Sequence, residues 1–399
     1  LKPRARRIFI VAGEHSGDLL GGKLMAAMKA KSDTPILFSG VGGEAMEAEG
    51  LRSIFPLADI AVMGPLAILA RLPKLVRRVY QAVSAGLLAD PDGVIIIDSP
   101  EFTHPVAKRI RKRLPMIPII DYVSPSVWAW RPGRARKMRP YVDHLMAILP
   151  FEPEAHRQLG GPPCSYVGHP MIEKVDWINS LDAAELAVRL GLDPAKPVLL
   201  VLPGSRPTEV KRLMQPFGEA VRLLLERNGP MEVIIPAVAS VRGLIEAGLA
   251  DWPVRPHLVM GESDKFKSFR LAKAALAASG TVTLELGLSG VPMVVAYRVD
   301  GLAVHLRRFI KVPSIVLANL VIGENIFPEY IQEDCTGEKL TEALLPLLSD
   351  TAERQRQESG INRIAGKMLL DGTTPSERAA ETAIAVIEQG IKKRLSVPR

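Results

Sequence analysis

Residues 8–22 read IFIVAGEHSGDLLGG. The first five are apolar without a break, as a strand buried on both faces of a parallel sheet is written. Gly13, Gly17 and Gly21 then recur at helical spacing, with Gly13 placed where a chain leaving a strand must turn sharply. Strand, tight turn and helix in that order begin a βαβ unit. The turn also carries Glu14, Ser16 and Asp18 around Gly17, so it suits a ligand-binding loop as well as a bare connection.

Outward from this unit the same alternation repeats. Short β-branched runs at 36–39, 94–98, 118–123 and 145–149 complete a first series, and runs at 198–202, 233–236, 274–278 and 293–297 form a second. Helical patterns separate them, which predicts an α/β protein with two parallel sheets. The hinge is expected near 168–180, giving domains over 1–172 and 173–365 with a C-terminal helical segment at 366–399. A last helix is expected over 376–389, opened by Pro375 and closed by Gly390.

With 399 residues, 47% of them hydrophobic, the chain can bury two ordinary cores. Two cysteines, Cys164 and Cys335, and seven histidines fall in no zinc or disulfide spacing, so neither a metal nor a cofactor is expected. The five apolar residues after Lys2, Arg4, Arg6 and Arg7 are too few for a secretory core, and no run approaches the ~20 residues of a membrane span. Residues 101–140 hold ten Lys/Arg against Glu101 and Asp121, a local +8 equal to the net charge of the whole chain. Such a stretch suits a phosphate-bearing partner, whether nucleic acid, anionic lipid or a small molecule, and equally two solvated helix faces.

In open α/β sheets ligands sit beyond the carboxyl ends of the strands, and those ends are distinctive here. The run 94–97 delivers Asp98 to its tip, where a carboxylate can serve as general base or cap the next helix; Pro100 argues against a helix starting at once. The loop 121–134 places Trp128 and Trp130 beside Arg131 and Arg134, side chains that suit sugar rings and phosphates. Ser205 and Arg206 follow the run 198–202, and Ser279, Gly280 and Thr281 follow the run 274–278; each pair of loop and helix start is suited to a diphosphate. Glu285 lies one turn past Thr281 and could accept both hydroxyl protons of a ribose. Asn319 and Gln332 are amides in a mostly apolar segment, and either satisfy each other or read a polar ligand.

Residues 63–78 mix large apolar side chains with Arg71, Lys74, Arg77 and Arg78 and contain no acid. Pro73 is expected to interrupt any long helix there. Leu66, Leu69, Leu72 and Val76 would share one side of a short helix, with Ile68 and Leu75 off that stripe. This reads as a membrane-contact segment of Leu66, Ile68, Leu69, Leu72 and Leu75 on an anionic surface, or as an ordinary core helix.

Taken together, the motifs AGEHSGDLLGG, IDSPEF, YVSPSVWAWRPGR, YVGHP, LPGSR, SGTVTLELGLSGVPMVVAYR and NLVIGENIFPEYIQ, in that order from Ile8 to about Thr336, resemble those of the lipid A disaccharide synthases. The resemblance implies a GT-B fold: two facing Rossmann-like domains, with the C-terminal helix returning to the first. It implies inverting transfer of 2,3-diacylglucosamine from its UDP derivative to the 6-hydroxyl of 2,3-diacylglucosamine 1-phosphate (lipid X), without a metal. Asp98 matches the family's proposed base, and Arg206, Ser279, Gly280, Thr281, Glu285, Asn319 and Gln332 match positions lining the UDP site. Ser205 stands beside them; Glu14, Ser16, Gly17, Asp18, Trp128 and Arg131 would form the acceptor side. His15 departs from the small residue usual at its position, and Glu101 from the usual Asp. The implied setting is the cytoplasm, peripheral on the inner face of the inner membrane, with no nucleic acid as partner. A second GT-B enzyme acting on UDP-N-acetylglucosamine would share the donor motifs, whereas an RNA-binding protein using 101–140 would leave them unexplained.

Overall fold

The computed structural model describes residues 4–61, 65–299 and 313–396, apart from the side chains of 65–70. The chain forms two compact units, one of residues 1–172 with 370–399 and the other of residues 173–369.

In the first unit the strands are β1 (Arg6–Ala12), β2 (Ile36–Val41), β3 (Gly93–Ile97), β4 (Ile119–Tyr122), β5 (His144–Ala147) and β6 (Cys164–Tyr166). All pair in parallel, in the order β2-β1-β3-β4-β5-β6. Because side chains alternate across a strand, neighbouring residues feed different cores. Phe9, Val11, Val94 and Ile96 pack on one face with Val79, Val106 and Ile110; Ile8, Ile10, Ile95 and Ile97 pack on the other with Leu24, Met25 and Met28. The second face is completed by Ala379, Ala380, Ala383 and Ile387 of the C-terminal helix Pro375–Leu395. That helix runs through Gly390, the residue expected to end it. Gly390 lies against Pro118, which a Cβ would meet at 2.6 Å, so the glycine serves close packing instead of a stop.

Two further expectations about proline fail in this unit. Helix α1 (His15–Lys31), α2 (Glu44–Ala48), α3 (Pro65–Leu88) and α4 (Pro100–Arg113) connect its strands. Pro73 lies inside α3 without ending it; the residue is exposed, so the carbonyl it leaves unpaired can face water. Pro100 is the first residue of α4, where its missing N–H costs nothing. The restriction it places on its predecessor is met by Ser99, which adopts a left-handed conformation (φ 43°) in place of a helical one.

The second unit repeats the plan with β7 (Val198–Leu202), β8 (Glu232–Ala237), β9 (His257–Met260), β10 (Ala274–Ala278), β11 (Met293–Tyr297) and β12 (Glu329–Ile331), again all parallel. The order is β12-β11-β10-β7-β8-β9. Leu199, Val201, Val233, Ile235, Leu276 and Val294 pack against Val210, Leu213 and Phe217 of the helix Pro207–Asn228. Each sheet therefore reverses its strand order once, between β1 and β3 and between β7 and β10. Those two switch points are where a doubly wound sheet opens a crevice at its carboxyl edge.

Candidate active site

At the first switch point, Ile97 ends β3 and the chain turns through Asp98 and Ser99, both left-handed (φ 53° and 43°). The Asp98 carboxylate accepts from the Ser99 N–H at 2.7 Å and from the Ser16 hydroxyl at 3.3 Å. The same hydroxyl lies 2.8 Å from Glu14. Ser16 has one proton to give, so it stands between two carboxylates and can serve one at a time. Gly13 makes the approach possible, because a Cβ there would lie 2.2 Å from the Ser99 Cβ. The structure thus gathers Glu14, Ser16 and Asp98, with His15 exposed beside them and Gly17 buried in the first turns of α1.

Asp18 does not join them. It is buried, and its carboxylate accepts from the N–H groups of Gly43, Ala45 and Met46 at 2.7–3.1 Å. It anchors the start of α2 and is spent there, which removes it from the acceptor loop. Trp128 is also turned inward: its Nε1 donates to Glu152 at 3.1 Å and its ring meets Phe151 edge-on. Trp130 takes the exposed place instead, with the Arg131 guanidinium 5.1 Å from its ring centre.

Among the membrane-contact residues, Leu66, Ile68 and Leu69 have side chains outside the described residues. Leu72 is 47% exposed, whereas Leu75 is half-buried against the sheet core. The cations of α3 are less free than their sequence suggests, since Lys74 and Arg78 both bond Asp59.

At the second switch point the loops after β7 and β10 border a cavity of about 700 Å³. Ser205, Arg206, Ser279, Gly280, Thr281 and Glu285 all line it. Glu209, buried one turn into the following helix, accepts from the Ser205 and Arg206 N–H groups at 3.2 and 3.3 Å and from the Arg206 guanidinium at 2.9 Å. This fixes the PGSR loop while leaving the Arg206 side chain 65% exposed. Lys265 reaches Glu285 at 2.5 Å, bringing a second cation to the cavity wall.

Asn319 and Gln332 stand apart from that cavity, and they do not bond each other. Asn319 is buried; its Nδ2 donates to Ser314 Oγ and the Phe327 carbonyl, while Oδ1 accepts from the Ile326 and Phe327 N–H groups. Gln332 bonds both main-chain groups of Val299. Both amides tie segments of the second unit together, and with its four bonds Asn319 has no capacity left for a base edge.

A family model described as lipid-A-disaccharide synthetase matches residues 8–382. The lipid-A-disaccharide synthase of Rhodopseudomonas palustris (strain HaA2) is 50% identical over 385 residues, covering 96% of this chain and 97% of that one. The chain belongs to the lipid-A-disaccharide synthase family. A second such synthase, from Nitrobacter hamburgensis (strain DSM 10229 / NCIMB 13809 / X14), is 49% identical over 381 residues, 95% of each chain. Membership makes the protein a glycosyltransferase of lipid A biosynthesis. Among solved structures it is similar to a UDP-GlcNAc 2-epimerase from Neisseria meningitidis bound to UDP-GlcNAc (TM-score 0.64, 10% identity, 96% and 100% of the two chains). It is also similar to MurG from Acinetobacter baumannii (TM-score 0.55, 13% identity, 95% and 99%). At those identities the likeness is one of fold, the GT-B arrangement of two parallel α/β sheets.

Several polar residues at the two loops escape sequence reasoning. Glu209 and Lys265 are two. A buried chain of Tyr141, His104 and Asp121 is another: the His104 ring bonds the Tyr141 hydroxyl at 2.9 Å and Asp121 at 3.1 Å. Burial raises the Asp121 pKa, the His104 charge opposes that, and neighbouring Asp98 pushes it further up. Below the tryptophan loop, Glu152 also accepts from the Leu149 N–H at 3.0 Å, and burial pushes its pKa up to about 7. The only cue to these groups is a charged or aromatic residue inside an apolar run, and Asp121 in 118–123 is the clearest case.

The basic stretch resolves into separate roles. Arg111 pairs with Asp143, Arg134 with Glu101 at 2.6 Å, and Lys108 lies over the Tyr141 ring. Among the described residues no helix is long and apolar enough to cross a membrane.

Proposed function

We propose that the protein transfers 2,3-diacylglucosamine from its UDP derivative to the 6-hydroxyl of 2,3-diacylglucosamine 1-phosphate, giving a β-1,6-linked disaccharide 1-phosphate and UDP. The observation that carries this reading is the chemical contrast between the switch points: a carboxylate held by Ser99 and Ser16 at one, and at the other a cavity whose Gly280 and Thr281 turn faces the exposed Arg206 side chain.

Asp98 accepts the proton of the acceptor hydroxyl as its oxygen attacks the anomeric carbon. The bond from that carbon to the β-phosphate oxygen breaks on the opposite side, so the centre inverts. Arg206 and the Gly280 and Thr281 amides take up the charge that develops on the departing UDP. Glu285, set by Lys265, is placed to receive ribose hydroxyls. The enzyme works at the cytoplasmic face of the inner membrane, where the first turns of α3 and its unpaired cations meet anionic headgroups.

Mass spectrometry of the products decides the matter. Purified protein given the UDP-diacylglucosamine and the monosaccharide phosphate should yield one disaccharide phosphate and one equivalent of UDP, with none formed from UDP-N-acetylglucosamine. Turnover of UDP-N-acetylglucosamine alone, with no diacyl product, would overturn the proposal.

A further inference from the structure

Beside the Asp98 turn, α3 and α4 enclose a groove of about 830 Å³ within the first unit. Leu72, Leu75, Val76 and Val79 form one wall, and Phe102 and Pro105 the other. One end is closed by Gly13, Glu14 and Ser99, so the groove is continuous with the loop that orients Asp98. Its volume lies within the usual range for small-ligand sites, ~300–1,000 Å³.

The rim is charged, and unevenly so. Glu101, Arg109 and Arg131 border the groove, and Glu101 is already neutralised by Arg134 at 2.6 Å. Arg109 donates to the Pro105 carbonyl at 3.0 Å and lies over the Tyr80 ring; Arg131 lies over the Trp130 ring. Neither forms a close ion pair among the described residues, although the Arg131 charge is felt by Glu101, and Arg111 and Arg134 in the same stretch are each paired directly. Two guanidinium groups, each held over an aromatic ring, thus border an apolar slot.

We propose that this groove seats an acyl chain of the acceptor, with Arg109 and Arg131 binding its phosphate. The inference rests on the reaction proposed above and assigns its acceptor half. A bilayer surface cannot fill a concavity, whereas one chain of a monomeric lipid can, and a phosphate on the same molecule matches the rim. The assignment makes Leu72 and Leu75 walls of a substrate groove in place of membrane anchors. It also adds Arg109, Val76 and Phe102 to the site.

The test separates binding from turnover. Octyl phosphate, below its micelle concentration, should bind the full chain in calorimetry, and octyl glucoside and inorganic phosphate should bind at least tenfold more weakly. Arg109→Gln with Arg131→Gln should weaken octyl phosphate by tenfold or more, and Val76→Trp, which fills the slot, should do the same. Both variants should keep their Tm, their UDP affinity and their binding to phosphatidylglycerol vesicles, while the KM for the monosaccharide phosphate rises at least tenfold. Unchanged octyl phosphate affinity in both variants overturns the proposal. So does a parallel loss of vesicle binding in Val76→Trp with octyl phosphate binding intact, which would make this a membrane face. If the wild type binds octyl phosphate as described yet forms no disaccharide, the proposed reaction fails; the groove is then an alkyl-phosphate site and its assignment to the acceptor is overturned.

Discussion

The crevice between β1 and β3 and the crevice between β7 and β10 arise from the same topology, yet they are furnished with different polar groups. The first holds Glu14 and Asp98 against a single hydroxyl, next to an apolar groove. The second holds Arg206 and Lys265, with their carboxylate partners Glu209 and Glu285 set behind or beside them. Topology chooses where a crevice lies; the residues that follow each strand decide which polar groups it presents. A transfer reaction that needs a base and a stabilised leaving group can use two copies of one fold in this way.

The sharpest way to break the contrast is at Asp98. Asn at this position tolerates the positive φ and its amide oxygen can still accept from Ser99, so the turn should survive. It cannot take a proton. Asp98→Asn should lower turnover by roughly 10²–10⁴, with UDP affinity unchanged by calorimetry. Near-normal turnover would move the base to Glu14, since Asp18 is committed to α2.

The next largest effect is expected at the second crevice. Arg206→Ala removes an exposed guanidinium but leaves Glu209 bonded to the Ser205 and Arg206 N–H groups, so the loop should hold its shape. A charge-assisted contact of about 1.5–3 kcal/mol corresponds to a ~10- to 100-fold weaker UDP affinity. Asp98→Asn and Arg206→Ala should therefore separate rate from binding. Equal losses of both in each variant would dissolve the division of labour.

The two crevices also differ in how far they could be read ahead of the structure. The second was legible because its glycines, hydroxyls and arginine are neighbours in sequence, directly after apolar runs. Asp98 was legible for the same reason. The groove beside it was not, because it exists only where α3 lies against α4, and Pro73 argued wrongly that α3 would be short. The bonds that Asp18, Asn319 and Gln332 make were not legible, since they go to main-chain partners 7 to 33 positions away. The strands that sequence reading passed over, β6, β9 and β12, are sheet edges with mostly half-buried residues. An edge strand covers one face or neither and is not written as a continuous apolar run.

The difference between the crevices extends to what lies beneath the first, and here a smaller effect sharpens it. Glu152 is buried under the 124–131 loop with its pKa raised from 4.5 to about 7, while His156, bonded to Ser124 at 2.8 Å, is pushed down from 6.5 to about 4 by burial. For Glu152 the folded chain keeps a proton that the unfolded chain releases, so its contribution is present below about pH 4.5 and is lost as pH rises to about 7. The buried His156 works the other way: its contribution is present above pH 6.5 and is lost as pH falls toward 4. In the wild type the two slopes oppose each other over the same window. Glu152→Gln removes one of them. Gln can still accept from Trp128, but its amide faces the Leu149 N–H, a loss that does not vary with pH. The Tm of the variant relative to wild type should therefore start low near pH 5, climb by a few degrees toward pH 7 at ~2–4 °C per kcal/mol, and then stay level. A Tm difference that is constant from pH 5 to 8 would show that Glu152 remains ionised in the folded protein, held so by its Trp128 and Leu149 donors.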